Sequence, residues 1–439
     1  MGRAGAGPAD AIRGCADALS ELRRCAKALP GARLSLSGTA CEELLDRFQE
    51  CVALSIVPRE ELERARSAVE ALGRLLERAV PAIGARGWLL PRETADFAKD
   101  PLEHVKKKLF LYTLDLLRRR IGIEAYASKA RAAASSSMRS NMRTIYEAWV
   151  LASMVARAAE LSARLVYPEH GLVHFDRQGK QVAGTMPPNL VLEIPGRGML
   201  SIYLEAPRPL GWRDFKDLRR VWRFYTSLRP DIMAYPGLVL DIVDMGSDGV
   251  PILRPGAIIE CKELDDWFER HRELKGPANP SLSFDEWFKR WLSGLWTGLA
   301  DVVGVDSSAI REAVEGRRRG LRVSEVQLVK LYMAVYRPRH MFLVSSPRLP
   351  GPIRSELESE GIAVYDGVRM GDEGALVDLA DEVLAMASPA PQGGMAVLSE
   401  LSRQLARRGL AADGPSIVRL ALQFALSRLD EFSEFVASS

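Results

Sequence analysis

The chain has 439 residues, which is enough for two or three domains or for one large core with helical additions. Hydrophobic residues make up 47% and charged residues 27% of it, and this composition excludes extensive disorder. The net charge of +3 permits a polyanionic partner without requiring one. With no secretory signal and no apolar run of roughly 20 residues, we expect a cytoplasmic protein without a membrane partner.

The first hundred residues carry apolar side chains mostly at helical spacing. This pattern predicts helices near 9–29, 39–55 and 58–80, with breaks at Pro30-Gly31, Ser37-Gly38 and Pro58. The stretch 81–100 is less regular and is interpreted as a domain boundary. We therefore expect a helical N-terminal domain over 1–100.

Four of the five cysteines form two C-x9-C pairs on the first two predicted helices. In an antiparallel hairpin, Cys15 would face Cys51 and Cys25 would face Cys41. Four reduced, buried thiols are the alternative, because cytosolic thiols normally stay reduced. The Arg-rich composition is typical of a thermophile, in which intracellular disulfides do occur. In either case the expected role is structural.

The centre of the chain alternates helices with short apolar segments. Helices are predicted at 101–121, 140–163, 323–336 and 351–360, and strands at 165–176, 189–194, 199–206, 231–236, 256–262, 341–346 and 361–367. The glycines of Gly196-Arg197-Gly198 predict a hairpin between two of the strands. This order favours an α/β domain over 101–388, with a mixed central sheet flanked by helices. A Pro- and Gly-rich linker then leads to a C-terminal helical segment, 389–439, with helices at 395–408 and 415–435.

Two short segments carry the chemistry that we single out. Asp231 opens one predicted strand, and Glu260 and Lys262 lie two residues apart on another, so they share one face of it. Mg²⁺ takes one or two protein carboxylates and keeps positions for water and phosphate. The lysine would supply a positive charge to a scissile phosphate or orient an attacking water. The plainer interpretation is that all three are charges at strand edges, but a Glu and a Lys in the apolar IIECK strand call for a reason.

The spacing PD-x(28)-E-C-K resembles the PD-(D/E)XK, or restriction-endonuclease-like, nuclease superfamily over about 140–370. The preceding helix carries Tyr146-Glu147-Ala-Trp149, similar to the YE-x-W helix of McrC-like restriction components, whose acidic residue joins the metal site. The segment 327–332, QLVKLY, is similar to the Gln and Tyr found after the ExK strand in several branches. The resemblance implies a restriction-endonuclease-like fold and a Mg²⁺-dependent DNA endonuclease, with Mn²⁺ as a substitute. It assigns catalysis to Asp231, Glu260, Lys262 and Gln327, metal binding to Glu147, Asp231 and Glu260, and phosphate contact to Lys330.

Two departures from the family pattern weaken the assignment of Gln327. About 60 residues separate Lys262 from Gln327, and another insertion follows Glu205. Both insertions could hold substrate-binding elements. The alternatives to an active nuclease are a nuclease-fold protein that binds nucleic acid or a protein partner without cleavage, and a helical scaffold. Duplex cleavage needs two active sites, which would suit a homodimer that nothing in the sequence requires.

Other patterns have both a structural and a functional interpretation. The predicted nucleic-acid-binding residues are the basic runs Lys106, Lys107, Lys108 and Arg118, Arg119, Arg120. Such runs commonly form a solvated helix face, whereas beside a nuclease core they would form a phosphate-tracking surface. The tryptophan stripe within 283–304 favours packing over base stacking. His170 and His174 lack zinc-ligand spacing with cysteine.

Overall fold

The structure is a computed structural model, and it describes residues 12, 14–29, 33–36, 38–176, 186–208, 228–243, 252–274 and 321–389. These residues fall into two compact units. Unit 1 comprises Met1–Gly73 and Pro91–Tyr146, and unit 2 comprises Arg74–Leu90 and Glu147–Ser439. Residues 101–146 belong to unit 1 and 74–90 to unit 2, so the units divide the chain differently from the predicted domains, which stay predictions.

Unit 1 is mainly helical. Its elements are α1 (Ala16–Cys25), the strands β1 (Lys27–Leu29) and β2 (Arg33–Ser35), α2 (Thr39–Ile56), the first part of α3 (Arg59–Ala82), α4 (Arg92–Lys99), α5 (Pro101–Leu117) and the first part of α6 (Ile123–Glu160). Asp100 caps α5 by accepting the N–H groups of Leu102 and Glu103. Phe48 of α2 stacks on Tyr126 of α6 in the core of the unit.

Both predicted cysteine pairs are disulfides. Cys15 is joined to Cys51 and Cys25 to Cys41, with Cα atoms 5.9 and 5.7 Å apart. The bridges connect the two ends of α1 to α2, so the hairpin pairing is confirmed over the alternative of four reduced thiols. Cys261 is buried and is not in a disulfide.

Unit 2 is a mixed α/β structure built on a seven-stranded sheet in the order β13-β12-β9-β8-β7-β6-β4. Its strands are β4 (Arg164–Tyr167), β6 (Leu190–Ile194), β7 (Gly198–Leu204), β8 (Ile232–Pro236), β9 (Ala257–Lys262), β12 (His340–Ser345) and β13 (Ile362–Asp366). Two separate strand pairs join β3 (Gly87–Leu89) to β5 (Leu172–His174) and β10 (His271–Leu274) to β11 (Leu321–Ser324). The remaining helices are α7 (Glu325–Tyr336), α8 (Gly351–Ser359) and α9 (Val377–Ala385).

The strand pairing in the sheet changes from antiparallel to parallel at β9. In this sheet the pairs β4–β6, β6–β7, β7–β8 and β8–β9 are antiparallel, whereas β12 pairs parallel with both β9 and β13. The parallel strands are reached through α7 and α8, as parallel crossovers require. The apolar side of α7 packs on the face of the sheet that carries Ile258 and Leu343. The helices therefore cover a mixed sheet, as the α/β prediction states.

The hairpin predicted at Gly196 and Gly198 is confirmed, since β6 and β7 pair with Ile194 opposite Gly198. Both glycines have positive φ, and a Cβ at Gly198 would lie 2.1 Å from the carbonyl oxygen of Ser388. Glycine is thus required there by backbone conformation and by close approach.

Several predicted boundaries were wrong. The first helix ends at Cys25 rather than 29, because 27–29 pairs with 33–35. The helix predicted from 140 starts at Ile123. The stretch 81–100, interpreted from the sequence as a domain boundary, contains β3 and α4, and one division between the two units, at Leu90 and Pro91, lies within it. The helices at 395–408 and 415–435 and the stripe at 283–304 lie outside the described residues. Within the described part of the chain, none of the helices has the length and apolar character needed to cross a membrane.

Candidate active site

Asp231, Glu260 and Lys262 come together at one end of the sheet. Ile232 of β8 pairs with Ile259 of β9, and the antiparallel register places Asp231 beside Glu260. The backbone N–H of Asp231 lies 3.3 Å from Oε2 of Glu260. The structure therefore brings the predicted acids of two strands side by side.

The Asp231 carboxylate is fixed by the neighbouring strand. Its Oδ2 accepts the backbone N–H of Cys261 at 2.8 Å. Two residues earlier in the chain, the carbonyl oxygen of Arg229 accepts a hydrogen bond from the hydroxyl of Tyr332 on α7 at 3.1 Å. A strand on one side and a helix on the other thus hold the segment that presents Asp231.

Lys262 forms ion pairs with two carboxylates. Its Nζ lies 2.9 Å from Oε1 of Glu260 and 2.8 Å from Oε2 of Glu325, with side-chain exposures of 11% for the lysine and 3% and 17% for the acids. Burial alone lowers the pKa of Lys262, but the facing carboxylates, chiefly Glu260 and Glu325, outweigh it and hold the pKa well above its ordinary value. The lysine is therefore a permanent positive charge at this site.

Trp267 forms one wall around this lysine. Its ring centroid lies 5.7 Å from Nζ of Lys262, within the range of a cation–π contact. The indole N–H donates to the Ser345 hydroxyl at 3.0 Å, and that hydroxyl donates to the carbonyl oxygen of Pro347 at 2.8 Å. The ammonium is thus confined by an aromatic ring that has its own anchor on β12.

Glu325 was missed by sequence reasoning. It is the first residue of α7, directly after the N-cap Ser324, and an acidic residue there also suits the helix dipole. The capping box between Ser324 and Gln327 fixes the start of the helix and so the position of Glu325. The residues S-E-V-Q at 324–327 have the pattern of a capping box, which indicates a helix start, but no local signal indicates that Glu325 reaches Lys262.

Gln327 and Lys330 have structural contacts that their predicted roles did not include. The side-chain oxygen of Gln327 accepts the N–H of Ser324 at 2.8 Å, which closes the capping box. Lys330 lies 3.0 Å from Glu356 and 3.1 Å from Glu360. These contacts engage both side chains within the helical layer, so the predicted contacts with water and phosphate stay predictions.

Glu147 is placed in the interior of unit 2. Its side chain is buried, and the following residues of α6 are buried through Ala156. Burial raises the pKa of the Cys261 thiol well above its usual range, and Asp231, Glu147 and Glu260 add to this effect. Glu147 is therefore within electrostatic reach of Cys261 on β9. Its predicted place in the metal site stays a prediction.

Glu205 is a further acid at the same end of the sheet. Leu204 of β7 pairs with Ile232, and the N–H of Glu205 donates to the carbonyl oxygen of Asp231 at 2.8 Å. The residue has a positive φ of 41°, and its carboxylate lies 3.8 Å from Arg229. Sequence reasoning used Glu205 only to mark an insertion, because its position beside Asp231 depends on strand pairing.

The acidic residues of this site are suitable ligands for a magnesium ion only if few protein carboxylates are needed. Among the described residues there is no group of three or more His, Cys, Asp or Glu side chains arranged to hold a metal. Mg²⁺ does not need such a group, because it is often held by one or two carboxylates with water and phosphate completing the octahedron. Asp231 and Glu260, adjacent and on neighbouring strands, fit that smaller requirement.

The residues of the predicted basic runs in unit 1 differ in burial and in their ion-pair partners. Lys106 is 5% exposed and pairs with Asp46 and Glu103, whose side chains are 57% and 50% exposed, so its assignment to nucleic-acid binding is corrected to a structural ion pair. Lys108 pairs with Glu93, and Arg120 approaches Asp115. The exposed members of the runs are Lys107, Arg119 and Arg120.

Comparison of the chain with models of known protein families, with curated proteins and with solved structures finds no match.

Proposed function

We propose that the chain is a metal-dependent nuclease of the PD-(D/E)XK type that hydrolyses phosphodiester bonds in DNA. The observation that carries this proposal is the convergence of Asp231, Glu260 and Lys262 from two adjacent strands. Burying a charged group such as the Lys262 ammonium is costly, and groups whose pKa is strongly shifted, as that of Lys262 is, concentrate at functional sites. The antiparallel strands followed by a helix and two parallel strands are compatible with a restriction-endonuclease-like core.

In this proposal Asp231 and Glu260 would hold Mg²⁺, with Mn²⁺ as a substitute. When bound, the ion polarises phosphoryl oxygens and lowers the pKa of a coordinated water. Lys262 places a fixed positive charge beside Glu260, where charge develops on the phosphate. Glu147 stays the predicted third acid, and Glu205 is added as a neighbour of Asp231.

A protein that binds DNA or a protein partner without cutting is the second candidate. It is favoured by the two ion pairs of Lys262, in which the lysine and Glu260 already have charged partners within the fold. Proteins can also keep a fold after losing its catalytic function. DNA as the partner, a homodimer for duplex cleavage and a cytoplasmic location belong to the nuclease proposal.

The test is cleavage of labelled single-stranded, duplex and branched DNA with Mg²⁺, Mn²⁺ or EDTA. Glu260→Gln keeps the shape of the side chain and removes its charge. We expect metal-dependent cutting that falls by about a hundredfold or more in this variant. Glu358→Gln is the matched control, because it removes an exposed carboxylate paired with Arg354 on α8.

Three outcomes separate the candidates. Cutting that is lost in Glu260→Gln and kept in Glu358→Gln supports the nuclease. DNA binding without cutting under every metal condition supports the non-catalytic candidate. Cutting that survives in Glu260→Gln shows that the activity lies elsewhere in the chain.

A further inference from the structure

Glu325 lies outside the three-residue motif, yet it binds the same ammonium as Glu260. The two contacts of Lys262 Nζ are nearly equal, at 2.8 Å to Glu325 and 2.9 Å to Glu260. The two acids come from different elements, the start of α7 and the middle of β9. Lys262 therefore has two carboxylate partners that are held independently.

The two carboxylates differ in their surroundings. Glu260 lies beside Asp231, whose backbone N–H is 3.3 Å from its Oε2, and so belongs to the pair that would take a cation. Glu325 is set by the capping box of Ser324 and Gln327 on the α7 side of the lysine. A cation held by Asp231 and Glu260 would compete with Lys262 for Glu260.

If a cation takes Glu260 from Lys262, the ammonium needs a second carboxylate partner to stay in place. A divalent ion at Glu260 repels an ammonium 2.9 Å from the same carboxylate. An ammonium that loses its partner in a largely buried position is costly. Glu325 is already within hydrogen-bonding distance, and the Trp267 ring, 5.7 Å from Nζ, limits other directions of movement.

We propose that Glu325 is a positioning residue that retains Lys262 when a divalent cation takes Glu260. The ammonium then stays beside the metal-binding pair instead of competing with the ion for a ligand. This inference depends on the proposed function, because it assumes a cation at Asp231 and Glu260. It adds to the motif a residue that no sequence pattern had indicated.

The test is a double-mutant cycle on metal binding, using Mn²⁺ and calorimetry on the full chain. The four proteins are the wild type, Glu325→Gln, Lys262→Met and the double variant. We expect Glu325→Gln to weaken Mn²⁺ binding about tenfold when Lys262 is present. In the Lys262→Met background the same substitution should have little effect, since no ammonium remains to be retained.

Two further variants guard against an effect on folding. Glu325→Asp keeps the carboxylate one methylene shorter and should restore part of the affinity. Glu358→Gln removes another carboxylate from a cation pair in unit 2 and should bind Mn²⁺ as the wild type does. In DNA cleavage, Glu325→Gln should lower kcat while leaving KM for DNA unchanged.

The outcomes distinguish this inference from the proposed function. An equal loss of Mn²⁺ affinity in both backgrounds would show that Glu325 acts directly on the metal. No loss in either background would show that Glu325 does not affect metal binding. Each of these two results overturns the inference. Coupling between Lys262 and Glu325 without DNA cleavage would contradict the proposed function alone. A wild-type chain that binds no Mn²⁺ overturns both.

Discussion

Asp231 Oδ2 accepts the backbone N–H of Cys261 at 2.8 Å. The N–H belongs to the residue between Glu260 and Lys262, so one hydrogen bond sets the position of Asp231 relative to both. It ties the start of β8 to the end of β9, beyond the last strand pair at Ile232 and Ile259. The motif residues are thus linked through the backbone as well as through their side chains.

Asp231→Asn and Asp231→Ala should separate the structural role of this carboxylate from its chemical role. Asparagine can still accept the Cys261 N–H, so we expect stability close to that of the wild type but loss of metal-dependent cleavage. Alanine leaves the N–H without its acceptor and should cost about 1–3 kcal/mol of unfolding free energy as well. Urea unfolding and DNA cleavage measure the two effects. Equal destabilisation of both variants would contradict the role of the hydrogen bond.

Neighbouring lysines on α5 should behave differently. Lys106 is buried and pairs with Asp46 and Glu103, whose carboxylates are screened by solvent, so Lys106→Ala should destabilise the protein by about 1 kcal/mol. Lys107 is exposed, so Lys107→Ala should leave stability unchanged and make DNA binding less salt-dependent. Thermal unfolding and binding at several salt concentrations test the pair. An unchanged salt dependence in Lys107→Ala would remove α5 from the DNA-binding surface.

Reduction of the two disulfides should destabilise the N-terminal hairpin. The bridges close loops with sequence separations of 36 and 16 residues. Constraints on loops of this size contribute about 3–4 kcal/mol each in the chain-entropy account, less together because the loops are nested. Thermal unfolding with and without reductant, followed by circular dichroism, measures the loss. Native protein in which four thiols react with a labelling reagent without reductant would contradict the pairing.

Acid should destabilise unit 1 through His104. The ring is 4% exposed and, within the described residues, neither ring nitrogen has a hydrogen-bond partner. Burial lowers the pKa of His104, and the positive charges of Lys108 and Lys107 lower it further. The carboxylates of Glu93 and Asp96 raise it, but by less. Because the folded state binds the proton less readily than the unfolded chain, stability falls as the pH drops through about 6.5.

His104→Leu should therefore lose less stability than the wild type between pH 7.5 and pH 5.5. Urea unfolding at the two pH values gives the difference. His271→Gln is the control for losing an imidazole, because His271 is exposed. A pH dependence that is the same in His104→Leu and the wild type would assign the acid sensitivity to other groups.

Local patterns in the sequence predicted a large part of the described fold. The β6–β7 hairpin follows from two glycines with positive φ, and period-2 alternation places Glu260 and Lys262 on one face of β9. The disulfides follow from equal cysteine spacing on two helices joined by a short connection. In each case the determining residues are close in sequence or repeat at a fixed period.

Other features depend on partners that are distant in sequence. Residues 27–29 extend as a strand because 33–35 pairs with them, although the pattern around them is helical. Neighbouring lysines on α5 have the same side chain but different surroundings. Lys106 is buried and pairs with Asp46 of α2, whereas Lys107 faces solvent. Residue type and spacing alone carry no information about which helix lies opposite.

The candidate site divides in the same way. The sequence by itself identified Asp231, Glu260 and Lys262 as the candidate residues. A short motif selects all three, and strand alternation places Glu260 and Lys262 on one face of β9. The tertiary structure decided that Glu325 binds Lys262 and that Asp231 anchors Cys261, since both contacts join elements far apart in the chain. The reason is physical: a backbone pattern sets the direction of a side chain, whereas the charge that faces it is set by the packing of another element.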